Sequence, residues 1–197
     1  MMQDGDIHRG GVNSVQRIGN TVRRPTGAWT PAVHALLRHL ETSGFSEAPR
    51  FLGIDEEERE ILSFVPGQAA MRPWPRALRS DQGLIALATL LRRYHDAVEG
   101  FEPPPNARWR VPGVSWQPGM IIRHGDLGPW NTIWRNDSLT GLIDWDFAEP
   151  GWPLEDVAQM AWQLVPLRGD RMIDEVGLER RPDLRHRLFT LCKQYGA

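Results

Sequence analysis

The sequence predicts an α+β protein of two lobes, a small β-rich one followed by a mainly helical one. Short strand-like runs separated by turn residues occupy the first 65 positions around a single helical stretch. Beyond them, apolar residues recur at helical spacing around Leu84–Val98 and again near the C-terminus. A chain of 197 residues, 41% hydrophobic and 24% charged, can bury one substantial core or two small lobes. We place the boundary so that residues 1–65 form the first lobe and 66–197 the second.

The first lobe opens with Val12–Ile18 and Thr21–Arg24, two strand-like runs joined by Gly19-Asn20, a good two-residue hairpin turn. Thr30-Pro31 reads as an N-cap and first-turn pair. Val33, Leu36, Leu37 and Leu40 then share one face of a helix spanning 30–42, which Gly44 stops. Strands over 50–54 and 60–65 flank the acidic turn Asp55–Glu58, and Pro66-Gly67 closes the lobe.

In the second lobe Ser80 caps a helix whose Leu84, Leu87, Ala88, Leu91, Tyr94 and Val98 lie on one face. Residues 101–119, rich in Pro and Gly, form an irregular connection. Short strands follow over 120–123, 132–134 and 141–143, with a turn at Asn136–Thr140, and helices over 154–164 and 183–195. Cys192 on the last helix has no partner for an internal disulfide, as a reducing compartment permits.

No run approaches the roughly 18 apolar residues that span a bilayer, and the polar N-terminus lacks a signal-peptide apolar region, so a cytoplasmic protein without membrane contact is expected. A net charge of −2 and the absence of finger or basic-helix spacing argue against nucleic-acid binding. Lys193 is the only lysine among 23 basic residues.

The chemistry concentrates in two segments. His124-Gly-Asp126-Leu-Gly-Pro-Trp-Asn131 fits the H-x-D-L-x-x-x-N pattern of kinase catalytic loops. An Asp on such a loop can orient a hydroxyl and accept its proton. An Asn one tight turn later can offer its carbonyl oxygen to a magnesium ion. Downstream, Asp144 ends the apolar run Gly-Leu-Ile, and a hairpin between the segments would return it to the same end as Asn131. Asp146 could touch metal or a cationic substrate, or be a solvated strand-end residue.

Together HGDLGPWN and GLIDWDFAEPGWPLEDVA resemble the aminoglycoside phosphotransferase and choline kinase group, a branch of the protein-kinase-like fold, over residues 10 to 195. The resemblance implies ATP as co-substrate, Mg2+ held by Asn131 and Asp144, Asp126 as catalytic base, and Asp156 as a brace of the second lobe. His124 is expected to pack and hydrogen-bond the loop. The lobes become a nucleotide-binding N-lobe and a catalytic, acceptor-binding C-lobe. Family members continue through more helices than this sequence, so the C-lobe reads as shortened, and a homo-oligomer could complete it.

In the N-lobe, Gly10, Gly11 and Asn13 resemble the glycine turn over the ATP phosphates. Ser63 and Val65 lie where the family binds adenine through backbone groups. The family's ATP-binding lysine is replaced by Arg23 or Arg24. Only one of two neighbouring strand residues can face the cleft, and Arg23 is favoured here. The other reading is a pair of solvated edge-strand arginines. The carboxylate that usually pairs with this cation from the helix is missing: Glu41 lies at its far end, while His34 occupies an earlier turn.

These readings predict an ATP- and magnesium-dependent phosphotransferase acting on a hydroxyl of a small molecule such as an aminoglycoside-like antibiotic, an amino alcohol or a sugar. Asp146 and Glu149 would attract amino groups of the acceptor. The alternative is a kinase-like protein that binds nucleotide or ligand without turnover.

Overall fold

The structure, a computed structural model, describes residues 7–9, 14–167, 169–178 and 181–197. The expected glycine turn, Gly10, Gly11 and Asn13, lies outside them. The N-terminal region is a five-stranded antiparallel sheet built from β1 (Ile7–Arg9), β2 (Ser14–Ile18), β3 (Thr21–Pro25), β4 (Phe51–Ile54) and β5 (Arg59–Ser63), in the order β1-β2-β3-β5-β4. Gly19 takes φ +57°, as the tight β2–β3 turn requires. Across β3 and β5 the register sets Arg23 opposite Ile61 and Arg24 opposite Glu60.

Helix α1 (Thr30–Thr42) buries Val33, Leu36, Leu37 and Leu40 as its spacing predicts. Its cap differs from the expectation. Trp29 holds the N-cap position, and the Thr30 hydroxyl accepts the Gly27 N–H at 2.8 Å instead of capping the helix. The Trp29 ring folds over Gly27, where any Cβ would collide with it, and the chain enters the helix one residue earlier.

The second region is built on α3 (Asp81–Val98), capped as expected by Ser80, whose hydroxyl accepts the Gly83 N–H at 3.2 Å. Its predicted face is buried throughout. Around it lie α2 (Arg76–Arg79), α4 (Pro153–Leu164), α5 (Asp170–Glu175) and α6 (Leu184–Tyr195), the last capped by the Asp183 carboxylate. Cys192 is half-buried on α6.

Two small sheets carry the site segments. Strand β7 (Ile121–Arg123) pairs with β10 (Glu149–Gly151), and β6 (Gln68–Ala69), β8 (Thr132–Arg135) and β9 (Ser138–Leu142) form a three-stranded sheet in the order β6-β8-β9. The β8–β9 turn is tighter than the predicted five residues. Asn136 and Asp137 alone make it, at φ +50° and +59°, which these side chains tolerate, so β9 begins at Ser138. The strands and helices missed in the sequence, β1, β6, β10, α2 and α5, are too short to show a period. Among the described residues no helix is long and apolar enough to cross a membrane.

Candidate active site

Strand β7 delivers the chain into the loop His124–Asn131, and α4 holds that loop from below. The buried Asp156 carboxylate accepts the backbone N–H of His124 at 2.8 Å and of Gly125 at 3.2 Å. Gln159, one turn on, accepts the Leu127 N–H at 2.8 Å and donates to the Gly125 carbonyl at 2.9 Å. Asp156 is tied in turn to His95 at 3.2 Å, and His95 to the Tyr195 hydroxyl at 2.8 Å, so α3, α4 and α6 meet beneath the loop. Asp156 is the brace the resemblance implied. Gln159, His95 and Tyr195 were not expected, because their spacing to the motif carries no local signal.

Gly125 is required on two counts. It sits at φ +76°, and a Cβ there would run into the Phe147 carbonyl oxygen. His124 is fully buried. Its Nδ1 accepts the Asp126 N–H at 3.3 Å, which assigns the proton to Nε2, 3.1 Å from the Ile143 carbonyl. Burial pushes its pKa below the usual histidine value, so the ring is a neutral clamp between the two motifs.

The Asp126 carboxylate is oriented by its own loop. Asn131 Nδ2 donates to the Asp126 carbonyl at 2.9 Å and to Oδ2 at 2.8 Å, and the Trp130 indole N–H reaches the same Oδ2 at 3.4 Å. With its amide nitrogen so engaged, the Asn131 oxygen is the atom left for a cation. The Ile143 N–H donates to the Asn131 carbonyl at 2.9 Å and thereby sets Asp144 beside it. Asp144 is a non-glycine residue at φ +62°, a sparsely populated conformation, and its side chain remains 45% exposed. One amide oxygen and one open carboxylate are the hard donors that suit a magnesium ion completing its shell from phosphates and water.

Of the two β3 arginines, Arg24 and not the favoured Arg23 turns toward Asp144. Arg23 lies on the outer side of β3, hydrogen-bonded to the Thr21 hydroxyl at 2.7 Å and 3.6 Å from Asp55. Arg24 is buried, and its guanidinium is shared among three carboxylates: Nε pairs with Glu60, Nη1 lies 3.1 Å from Asp144, and Nη2 pairs with Asp146. Burial opposes its charge, but Glu60, Asp146 and Asp144 outweigh burial and raise its pKa. Glu60 on β5 thus gives Arg24 a carboxylate partner where the first turns of α1 carry none. Helix α1 joins through His34, whose Nε2 is 2.8 Å from Glu60 and whose ring stacks on Phe51.

Asp146 and Glu149, expected to attract acceptor amines, are both buried and answer arginines. Asp146 meets Arg24 and, at 3.5 Å, Arg110, which comes from the 101–119 connection and lies over the rings of Trp29 and Phe147. Glu149 pairs with Arg123. Burial raises the pKa of each above the ordinary carboxylate value despite these partners. Of the two positions expected to bind adenine, Ser63 is engaged in the sheet: its N–H donates to the Arg50 carbonyl at 2.9 Å and its hydroxyl accepts the Arg50 N–H at 2.7 Å. Val65, beyond the end of β5, packs against Gly141.

A model of the phosphotransferase enzyme family (APH) matches residues 109–188. The trifolitoxin immunity protein of Rhizobium leguminosarum bv. trifolii is 39% identical over 192 residues, 95% of this chain and 72% of that protein. Among solved structures, the amicoumacin kinase hAmiN in complex with AMP-PNP, Ca2+ and Ami superposes with a TM-score of 0.72 at 11% identity, over 97% of this chain and 71% of that one. The GDP complex of aminoglycoside 2'-phosphotransferase-IIIa gives 0.60 at 15% identity, over 100% and 77%. A choline/ethanolamine kinase family protein from Mesorhizobium loti gives 0.55 at 16%, over 97% and 76%. At such identities the likeness is one of fold, and that fold is the bilobal protein-kinase-like one expected from the two motifs.

Proposed function

The chain belongs to the APH phosphotransferase enzyme family, and from that premise we propose that it transfers the γ-phosphoryl group of ATP, with Mg2+, to a hydroxyl of a small molecule. The observation that carries the reading is the convergence of Asp126, Asn131 and Asp144 through the Asn131–Asp126 contact at 2.8 Å and the Ile143–Asn131 backbone bond at 2.9 Å. In this reading Asp126 accepts the proton of the acceptor hydroxyl as its oxygen attacks the γ-phosphorus, and the bond to the bridging oxygen of ADP breaks. Asn131 and Asp144 hold the metal, which when bound neutralises charge on the phosphate oxygens. Arg24 exchanges its grip on Asp144 for the phosphates, and the backbone of Val65 receives the nucleotide base. Catalysis of this kind is positioning and charge neutralisation.

The acceptor class we favour is an antibiotic-like molecule, an amino alcohol or a sugar. The immunity protein among the relatives favours the first. The second reading, ligand binding without turnover, draws on the engagement of Arg24 with three carboxylates. Magnesium-dependent ADP release, screened across hydroxylated amines, sugars and antibiotics alongside thermal shifts with ATP, separates the two. Acceptor-stimulated ADP release supports transfer, and a thermal shift with no release in any mixture overturns it.

A further inference from the structure

Trp130 stands inside the catalytic loop at a position the H-x-D-L-x-x-x-N pattern leaves open, and nothing in the transfer chemistry assigns it a task. Its indole N–H points at Asp126 Oδ2, 3.4 Å away, the oxygen that also receives the Asn131 amide at 2.8 Å. The two donors are consecutive residues of one 3-10 turn, Pro129–Asn131, and act on the carboxylate as a fork. Asp126 Oδ1 accepts no hydrogen bond from the described residues.

A second observation concerns the seat of the indole. Gly128 has φ −94° and ψ 158°, an extended conformation open to any residue, so backbone freedom does not explain a glycine here. Space does. A Cβ on residue 128 would collide with the six-membered ring of Trp130, which lies directly against the Gly128 backbone. The ring is therefore seated on one residue of the loop while its N–H engages another.

We infer that Trp130 is a positioning residue: seated on Gly128, its indole N–H acts with Asn131 to hold Asp126 Oδ2, so that Oδ1 is the oxygen presented to the incoming hydroxyl. The inference rests on Asp126 being the base of the proposed reaction. The contact itself does not depend on turnover. The indole also explains the sequence Gly-Pro-Trp-Asn as one device, in which Gly128 makes room, Pro129 opens the turn, and Trp130 and Asn131 supply the donors.

Two measurements on the full chain test it. In the first, the indole resonance of Trp130 in 15N-labelled protein, identified by its loss in Trp130→Phe, is followed into Asp126→Ala. A change in its shift is expected, and an unmoved resonance overturns the contact. In the second, Mg2+-dependent ATP hydrolysis is compared between wild type and variants. Trp130→Phe keeps an aromatic ring but loses the donor, and should lower kcat about tenfold with KM for ATP unchanged. Gly128→Ala should lower kcat alike, yet cost nothing further in a Trp130→Ala background, where no ring remains to displace. A Trp130→Phe enzyme with wild-type kcat overturns the positioning role. Wild-type protein that never releases ADP sinks the phosphotransferase reading instead, and the indole resonance then decides the Trp130 contact alone.

Discussion

Arg24 on β3 and Glu60 directly opposite it on β5 are cross-strand partners joined by a buried ion pair, with His34 of α1 on the far oxygen of Glu60 at 2.8 Å. A pair fixed by sheet register does not depend on the position of α1, whereas a carboxylate carried on the helix would. The N-lobe thus keeps its cation aimed at Asp144 through backbone pairing.

Glu60→Gln should therefore disturb the cation without emptying the space. The amide retains one oxygen for Arg24 or His34 but gives up the charge. A loss of about 2 kcal/mol in denaturant-midpoint stability is expected, the scale of a hydrogen bond to a charged group. Nucleotide affinity, read by thermal shift with ATP and Mg2+, should fall with it. An unchanged midpoint would show that Asp144 and Asp146 alone secure Arg24.

Asp126→Asn removes the base of the proposed reaction while keeping an oxygen near Asn131 and Trp130. ATP-induced stabilisation should be nearly intact and ADP release slowed by about two to four orders of magnitude, the usual span of a general base. Asp144→Asn, by contrast, withdraws the carboxylate charge proposed to hold the metal. It should abolish the magnesium dependence of nucleotide binding, measured by titrating Mg2+ at fixed ATP. The two variants separate the proton from the metal, since one should spare binding and the other should not.

Gly125→Ala should be among the most damaging single changes in the chain. The methyl meets the Phe147 carbonyl, and alanine at φ +76° is itself strained. A destabilisation of at least about 2 kcal/mol by chemical denaturation is expected. Asp156→Ala should cost about 3 kcal/mol, because it strands the N–H groups of His124 and Gly125 and the His95 ring in a buried setting.

The loop His124–Asn131 was legible in the sequence because its pattern sets Asp126 and Asn131 within one turn, and short-range spacing survives without a fold. The pairing of Arg24 was not, because β3 to β5 register is a long-range fact. A signal existed even so: Val22 and Arg24 share one face of β3, and an apolar neighbour two residues away marks the inward side. Glu60, a carboxylate beside the apolar Ile61-Leu62, was the matching sign on β5. Glu149 misled for a complementary reason. An acidic residue near a site motif suggests substrate contact, and only the β7–β10 pairing, which sets it opposite Arg123, shows where its charge is spent.

Two buried glutamates, each paired with an arginine, should respond to acid in opposite ways. For Glu60, burial pushes the carboxyl up, but the His34 hydrogen bond and the Arg24 charge outweigh it and hold the pKa below 4.5. Its stabilising contribution is therefore present above about pH 4.5 and is lost as pH falls through the lower folded value. For Glu149, burial dominates the attraction of Arg123 and the pKa lies above 4.5, so the stability it contributes is complete below pH 4.5 and declines as pH rises through the raised value. The disadvantage of Glu60→Gln relative to wild type should accordingly begin to shrink on acidification from pH 7 to pH 4. Glu149→Gln should compare more favourably with wild type at pH 7 than at pH 4, because the amide never pays the desolvation of a charge. Melting temperatures of the three proteins at both pH values check the signs, and parallel curves for the two variants would refute the contrast.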